Sequence, residues 1–223
     1  MTPSLSERID FKNKYSHLLF VLLLVFLAFP FLEDIKSEIS LISLVCFLVV
    51  MFSLRALKME TRFFAFFIAF GVIAMFFDVL FWYQGNFVLK KAGLMVSLVL
   101  YVIFLVSAMV FMIKRIFSSA TVTGDTIRMG ISLYLLMGFL WTLFYYLILE
   151  LDPNAFYYME PRNDMYLMYY SFTTLTTVGY GDIFPINRFA MSLSNLEAIA
   201  GQMYMGIFVA RLIGLQVVRK DNS

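Results

Sequence analysis

The sequence predicts an all-α membrane protein. Six transmembrane helices are expected, with a short re-entrant helix and an extended segment between the fifth and sixth. Three observations carry this expectation. Of the 223 residues, 62% are apolar and only 14% charged, where a soluble domain would carry roughly a quarter charged. The apolar residues collect into runs at 16–32, 39–54, 63–83, 92–113, 129–149 and 187–214. Basic residues collect between alternate runs. So much apolar side chain cannot be hidden in one small core, and the excess faces lipid.

The third, fourth and fifth runs hold 21 or 22 residues, roughly 32 Å of helix, enough to cross the hydrocarbon layer. Helices suit that setting because each segment satisfies its own backbone donors and acceptors. The first two runs are shorter, with Glu33, Asp34, Lys36 and Glu38 between them. One kinked re-entrant pair is an alternative there, but two separate spans fit better.

Orientation follows from Lys and Arg. One side collects Arg8, Lys12 and Lys14; Arg55, Lys58 and Arg62; Lys114, Arg115 and Arg128; and Arg211, Arg219 and Lys220. These twelve of the seventeen basic residues mark the cytoplasmic side, and both termini fall there. Lys36, Lys90, Lys91, Arg162 and Arg188 lie opposite, with Lys90 and Lys91 as the pair against the rule. A cleaved signal peptide is an alternative for the first run, but Phe29-Pro30-Phe31-Leu32 offers no small-residue cleavage site.

Several function classes are disfavoured. Net charge is +2, with no basic run interleaved with aromatics, so nucleic acid is not an expected partner. Cys46 and His17 are the lone cysteine and histidine. Intrachain disulfides are excluded, and nucleophile–base or zinc arrangements are not expected. No enzyme and no cofactor are expected.

The chemistry sits between the fifth and sixth runs. Residues 164–176 are too few to cross a membrane as a helix, and Asp164 or Asn163 can cap its start. Thr177-Val178-Gly179-Tyr180-Gly181 follows, with glycines alternating with larger residues. Glycine permits backbone angles that L-residues resist. With alternating handedness, successive carbonyls can all point to one side. A ring of such oxygens replaces the water of a dehydrated cation, whose transfer bare into low dielectric would be prohibitive. The Thr177 hydroxyl adds an innermost ring, while Val178 and Tyr180 pack behind the strand. Alternate sites lie roughly 6–7 Å apart. Two monovalent ions at that spacing repel by about 2–3 kcal/mol at an effective dielectric of ~20, which offsets tight binding.

Thr174-Leu175-Thr176-Thr177-Val178-Gly179-Tyr180-Gly181-Asp182 resembles the potassium-channel selectivity signature T-x-T-T-V-G-Y-G-D at all eight specified positions. Pro185 also falls where that family often has proline. The resemblance is strongest over 129–214, and Thr123 to Ile127 and Pro153 to Phe156 look like small bacterial channels of this class. It implies a potassium-selective subunit, six-span and single-pore-loop, that works as a tetramer with three identical partners in a lipid bilayer. Potassium would bind through the carbonyls of Thr177, Val178, Gly179 and Tyr180 and the Thr177 hydroxyl. Thr176, Gly181 and Asp182 would support the filter. The implied location is the cell membrane, the inner membrane of a bacterium if the likeness holds. The expected divisions are a peripheral four-helix domain at 1–115, a linker at 116–128 and a pore domain at 129–214. Within the last, the pore helix covers 164–176 and the filter 177–181, and residues 215–223 form a short cytoplasmic tail.

Gly201 follows Asp182 by 19 residues, where the family often bends its inner helix. Hinge and close packing, which Gly206 and Ala210 would extend, are both open readings. By the same carry-over Gln202, Met205, Val209 and Ile213 face the cavity; their steps of three, four and four share one helical face.

The sequence also departs from the family. Thr173 stands where many simple bacterial channels have a glutamate bonded to the aspartate after the filter. Tyr169 and Tyr170 stand where filter-bracing tryptophans are common. Residues 92–113 contain no Arg or Lys, so strong voltage gating is not expected. Only a few polar residues follow Ile213, and no cytoplasmic ligand-binding domain is expected. Glu197 inside the sixth run has three readings: a brace on the pore helix through Thr176 or Ser171, a group that tunes the cavity potential, or a protonated or hydrogen-bonded glutamate in a helix interface. Asp78 at the end of the third run reads as reaching the headgroups. Glu150, Asp152, Glu160 and Asp164 against Arg162 leave the outer mouth acidic. Rival readings are a coupled potassium transporter, which usually carries four degenerate pore segments per chain, a non-conducting subunit, and a non-selective cation pore.

Overall fold

The computed structural model describes residues 14–32, 87–118, 121–159 and 165–221, with positions 69, 71–73, 76 and 80 between the first two. The second apolar run, most of the third, Cys46, Asp78 and residues 160–164 lie outside the described residues. The elements are α1 (Lys14–Leu32), α2 (Phe87–Ser118), α3 (Gly124–Leu151), β1 (Phe156–Tyr158), α4 (Met165–Leu175), β2 (Ile183–Pro185) and α5 (Arg188–Asp221).

Among the described residues three helices are long and apolar enough to cross a membrane, over Val88–Ser118, Gly124–Leu151 and Arg188–Val217. The apolar stretch of α1, Tyr15–Ala28, is shorter. Each long helix outruns its apolar run. In α2 the extra turns take in Lys90 and Lys91 at one end and Lys114 and Arg115 at the other, where long basic side chains reach toward headgroups. The Arg115 guanidinium lies 5.9 Å from the centre of the Tyr15 ring, a cation–π contact that joins α2 to α1.

The start of α3 is set by a reciprocal cap. The Thr123 hydroxyl accepts from the Thr126 N–H, and the Thr126 hydroxyl accepts from the Thr123 N–H. Two donors that the first turn would leave orphaned are thereby satisfied. Asp125 sits in that turn, favoured by the helix dipole, and pairs with Arg128 at 2.9 Å. Asp152 ends the helix, its N–H donating to the Ile148 carbonyl at 2.8 Å, and Pro153 follows. Helix therefore occupies residues 116–118 and 124–128 of the segment expected as linker.

Among the described residues every other helix packs on α3, and α4 also packs on α5. Leu18 and Leu22 of α1, Tyr101 and Phe104 of α2, and Leu133, Leu136 and Tyr145 of α3 are fully buried. Lipid tails are as apolar as leucine, so this core is held by close packing and hydrogen bonds rather than by removal from water.

The mostly helical structure includes one feature that the all-α expectation missed. β1 and β2 pair antiparallel, with Phe156 opposite Pro185, Tyr157 opposite Phe184 and Tyr158 opposite Ile183. Aromatic residues favour such a surface, and the Tyr157 and Phe184 rings stack at 4.8 Å as a cross-strand pair. Beyond the strands, Ile186 and Asn187 N–H groups donate to the Ala155 carbonyl at 2.8 and 3.1 Å. The Asn187 amide donates to Asp152 Oδ2 at 2.7 Å. The chain leaving α3 is thus pinned to the chain entering α5, and α4 hangs in the loop between.

Removing the cap by Thr123→Ala should cost about 1 kcal/mol and lower the melting temperature of the detergent-solubilised protein, whereas Thr123→Ser should melt like wild type. Equal melting of all three would show that the cap contributes nothing.

Candidate functional site

α4 has 11 residues, about 16 Å of helix, and ends inside the protein. The Thr176 N–H donates to the Phe172 carbonyl and the Thr177 N–H to the Thr174 carbonyl. Then the chain turns back on its helix. The Val178 and Gly179 N–H groups both donate to the Thr173 carbonyl, at 2.8 and 3.2 Å. All peptide bonds among the described residues are trans, and in a trans peptide the C=O points opposite to the N–H of the next residue. The Thr177 and Val178 carbonyls therefore both point away from Thr173, to one side.

The backbone angles explain how consecutive carbonyls share a direction. Thr177, Gly179 and Gly181 have φ of 60°, 53° and 83°, while Val178 and Tyr180 lie on the negative side. Left-handed residues thus alternate with right-sided ones. Gly179 and Gly181 are the glycines at which alternation was expected. Thr177 is the non-glycine exception among the described residues, held in a region that costs an L-residue about 1–3 kcal/mol.

Tyr169 takes a defined place beside this segment. Its ring lies parallel to that of Tyr180, 6.0 Å away, and its hydroxyl donates to Asp182 Oδ2 at 2.8 Å. Asp182 Oδ1 accepts the Ile183 N–H at 3.1 Å. Where the family pattern would offer a glutamate, Asp182 has a tyrosine hydroxyl. Thr173 acts through its carbonyl, and its hydroxyl donates to the Tyr170 carbonyl at 3.0 Å. The Thr176 hydroxyl donates to the Phe172 carbonyl at 2.6 Å. Tyr170, expected as a second filter brace, turns away to donate to Ser194 at 2.6 Å, with Tyr145 and Phe156 rings around it.

On α5, a Cβ at Gly201 would lie 2.2 Å from the Leu175 carbonyl oxygen, so this close approach of α5 to the end of α4 requires glycine. The next residue, Gln202, brings its Nε2 to 3.3 Å from the Thr177 hydroxyl oxygen. Gln202, Met205, Val209 and Ile213 are all exposed within the single chain. Among the described residues no cluster of His, Cys, Asp or Glu could hold a metal ion.

Residues 133–216 match the family model described as Ion channel. This region is an ion-channel pore domain. The match runs from Leu133 in α3 through α4 and the extended segment to Gln216 in α5, and it agrees with the expectation of a membrane protein that is no enzyme. No curated protein and no solved structure matches the chain.

Behind the pore domain's extended segment lies a polar cluster that joins α3, α4 and α5. Glu197 is fully buried. The Ser171 hydroxyl is 2.6 Å from its Oε1, and the Tyr145 hydroxyl donates to its Oε2. Ser171 also lies 2.8 Å from the Gly138 carbonyl. Ser194, one turn before Glu197, donates to the Ala190 carbonyl at 2.7 Å while accepting from Tyr170. Of the two candidate partners, Ser171 on α4 holds Glu197 and Thr176, just past its end, donates to the Phe172 carbonyl instead. Tyr145 and Ser194 were not singled out from the sequence. Tyr145 is one aromatic in a run of them, and the three-residue step from Ser194 to Glu197 was the available signal.

Two substitution pairs test this packing. Gly201→Ala should cost about 1–3 kcal/mol through overpacking, whereas Gly206→Ala should cost little, since a Cβ there meets nothing within 4 Å of its own chain. Thermal melts in detergent separate the two; equal losses would mean that the approach to Leu175 is not limiting. Glu197→Leu removes the acceptor that Ser171 and Tyr145 share. Ser171 keeps the Gly138 carbonyl, so the loss falls mainly on the Tyr145 hydroxyl, about 1–3 kcal/mol, and the variant should melt below Glu197→Gln, which keeps a hydrogen-bonding head.

Proposed function

We propose that four copies of this chain form a potassium-selective channel that passes potassium down its electrochemical gradient. The observation that carries this reading is the pair of Thr177 and Val178 carbonyls turned to one side by the shared acceptor at Thr173. With left-handed φ at Thr177, Gly179 and Gly181, the run extends to the carbonyls of Gly179 and Tyr180. Four such runs around an axis give stacked oxygen rings that replace the ion's water, and the Thr177 hydroxyl closes the inner end.

Two further observations support a tetramer. One chain carries one filter segment, so a ring needs copies. Within one chain only 6% of the apolar stretch of α5 is buried, against 61% of that of α3. Val178 and Tyr180 are 54% and 71% exposed, although side chains behind a filter must be packed to hold its width. Neighbouring subunits supply that packing. The C-terminal end of α4 directs its negative dipole end toward the cavity, which favours a cation there.

Six spans, with both termini in the cytoplasm of the cell that holds this membrane, remain the reading of the apolar runs and basic loops. Between Lys91 and Lys114, α2 carries no basic residue, and a helix without charge gains nothing from the membrane potential. Strong voltage gating is therefore not part of this function.

Purified protein in liposomes should take up rubidium against a potassium gradient, exclude sodium, and run as a tetramer by cross-linking or light scattering. A Gly179→Ala variant should pass at least tenfold less, because the added Cβ opposes a φ of 53°. Sodium flux equal to rubidium flux, or selective flux through Gly179→Ala, would falsify the assignment.

A further inference from the structure

The Thr177 hydroxyl occupies a special place in this reading, since it is the one side-chain oxygen in an otherwise main-chain pathway. Its backbone is fixed, with the N–H bound to the Thr174 carbonyl at 2.9 Å and φ at 60°. Neither constraint fixes the hydroxyl rotor. A threonine hydroxyl has one hydrogen and two lone pairs. If the hydrogen swings toward the axis, the group presents its positive end to a cation and repels it.

Gln202 meets this hydroxyl from α5. Its Nε2 is 3.3 Å from Thr177 Oγ1, and its height is set by the preceding residue, Gly201, which lies against the Leu175 carbonyl. The side-chain amide donates, so one lone pair of Oγ1 is taken by an N–H. That donor bars the hydroxyl hydrogen from the α5 side of the oxygen, so a cation on the axis turns it to the one remaining position and meets the second lone pair. The amide is neutral, so it adds no charge of its own, and its Oε1 remains for water beneath the filter.

We infer that Gln202 is the positioning residue for the Thr177 hydroxyl, and that it thereby sets how tightly the inner end of the filter holds a dehydrated cation. This inference rests on the potassium-channel reading. It assigns α5 a direct part in ion binding, beyond lining a cavity. A divalent cation of potassium's size feels oxygen orientation most strongly, because its interaction with each dipole is doubled. Barium applied from the cytoplasmic side is therefore the probe.

The experiment compares full-length wild type, Gln202→Leu, Gln202→Met and Thr177→Ala in planar bilayers. A neutral hydrogen bond shifts an equilibrium by roughly fivefold. Both Gln202 variants should weaken internal barium block by at least about that factor and raise the half-saturating internal potassium concentration, while preference for potassium over sodium is kept. Thr177→Ala should reproduce the loss, and adding Gln202→Leu to it should cause no further change, because the partner is already gone. Loss of packing alone would instead appear equally in both backgrounds. Unchanged barium and potassium affinity in either Gln202 variant, or effects that multiply in the double variant, overturns the inference. Methionine is close in shape to glutamine and serves if the leucine variant does not assemble. A wild type that passes no potassium fails the channel reading itself; a selective wild type with insensitive Gln202 variants fails only the positioning role.

Discussion

A single carbonyl, that of Thr173, receives two successive amides, from Val178 and Gly179. A carbonyl has two lone pairs, and here both bond with the turned-back chain instead of continuing the helix. The geometry of the extended segment depends on that shared acceptor. With two adjacent N–H groups drawn toward one point, the carbonyls on their far sides must diverge from it together. Alternation of φ at Thr177, Gly179 and Gly181 is the backbone's response. The strain at Thr177 is held by the hydrogen bonds on either side of it.

Such a segment has almost no secondary structure of its own, so its placement is borrowed from the elements around it. Strand pairing from Phe156 to Pro185 ties the C-terminal end of α3 to the N-terminal end of α5 and fixes where α4 can hang. Deeper in, the hydroxyls of Tyr145 and Ser171 converge on Glu197 and join α3, α4 and α5. Polar groups buried in an apolar setting are costly when unpaired and directional when paired, so this cluster fixes rotation of α5 against α4 as well as distance. Gly201 fixes the distance more severely, because a backbone oxygen sits where any side chain would begin. Strand pair, polar cluster and close approach act at three depths along the same short helix.

Much of this was legible in the residues. Runs of apolar residues located α2, α3 and α5, although the helices outrun them because Lys90, Lys91, Lys114 and Arg115 can stay helical while reaching headgroups. The alternating glycines pointed to the left-handed angles at 179 and 181. The angle at Thr177 was not legible, because threonine has no intrinsic preference for it; the bonds to Thr173 and Thr174 impose it. The β-pairing escaped notice because three aromatic residues inside an apolar sequence carry no distinct period. Tyr169 was expected beside the filter, but its bond to Asp182 depends on a ring orientation that sequence spacing does not specify. Tyr170 differs from its neighbour for a helical reason. Adjacent residues on α4 are about 100° apart, so if one faces the extended segment the other faces α3 and α5.

The same angular reasoning bears on how two families of contacts divide α5. Ser194, Glu197, Gly201, Tyr204 and Phe208 step by three or four along the face turned toward α3 and α4. Gln202, Met205, Val209 and Ile213 step similarly along the face left open by the chain. One face is committed to packing behind the extended segment, and the other is left open by the single chain. Gln202 stands where the two meet, one residue beyond the tightest contact and in hydrogen-bond reach of Thr177. In the proposed channel, a rotation of α5 that opened the cavity beside Ile213 while Gly201 stayed fixed on Leu175 would pivot close to Gln202. The upper end of the helix would then keep its grip on the filter while Val209 and Ile213 moved, so holding the ion and widening its exit can be separate tasks of one helix.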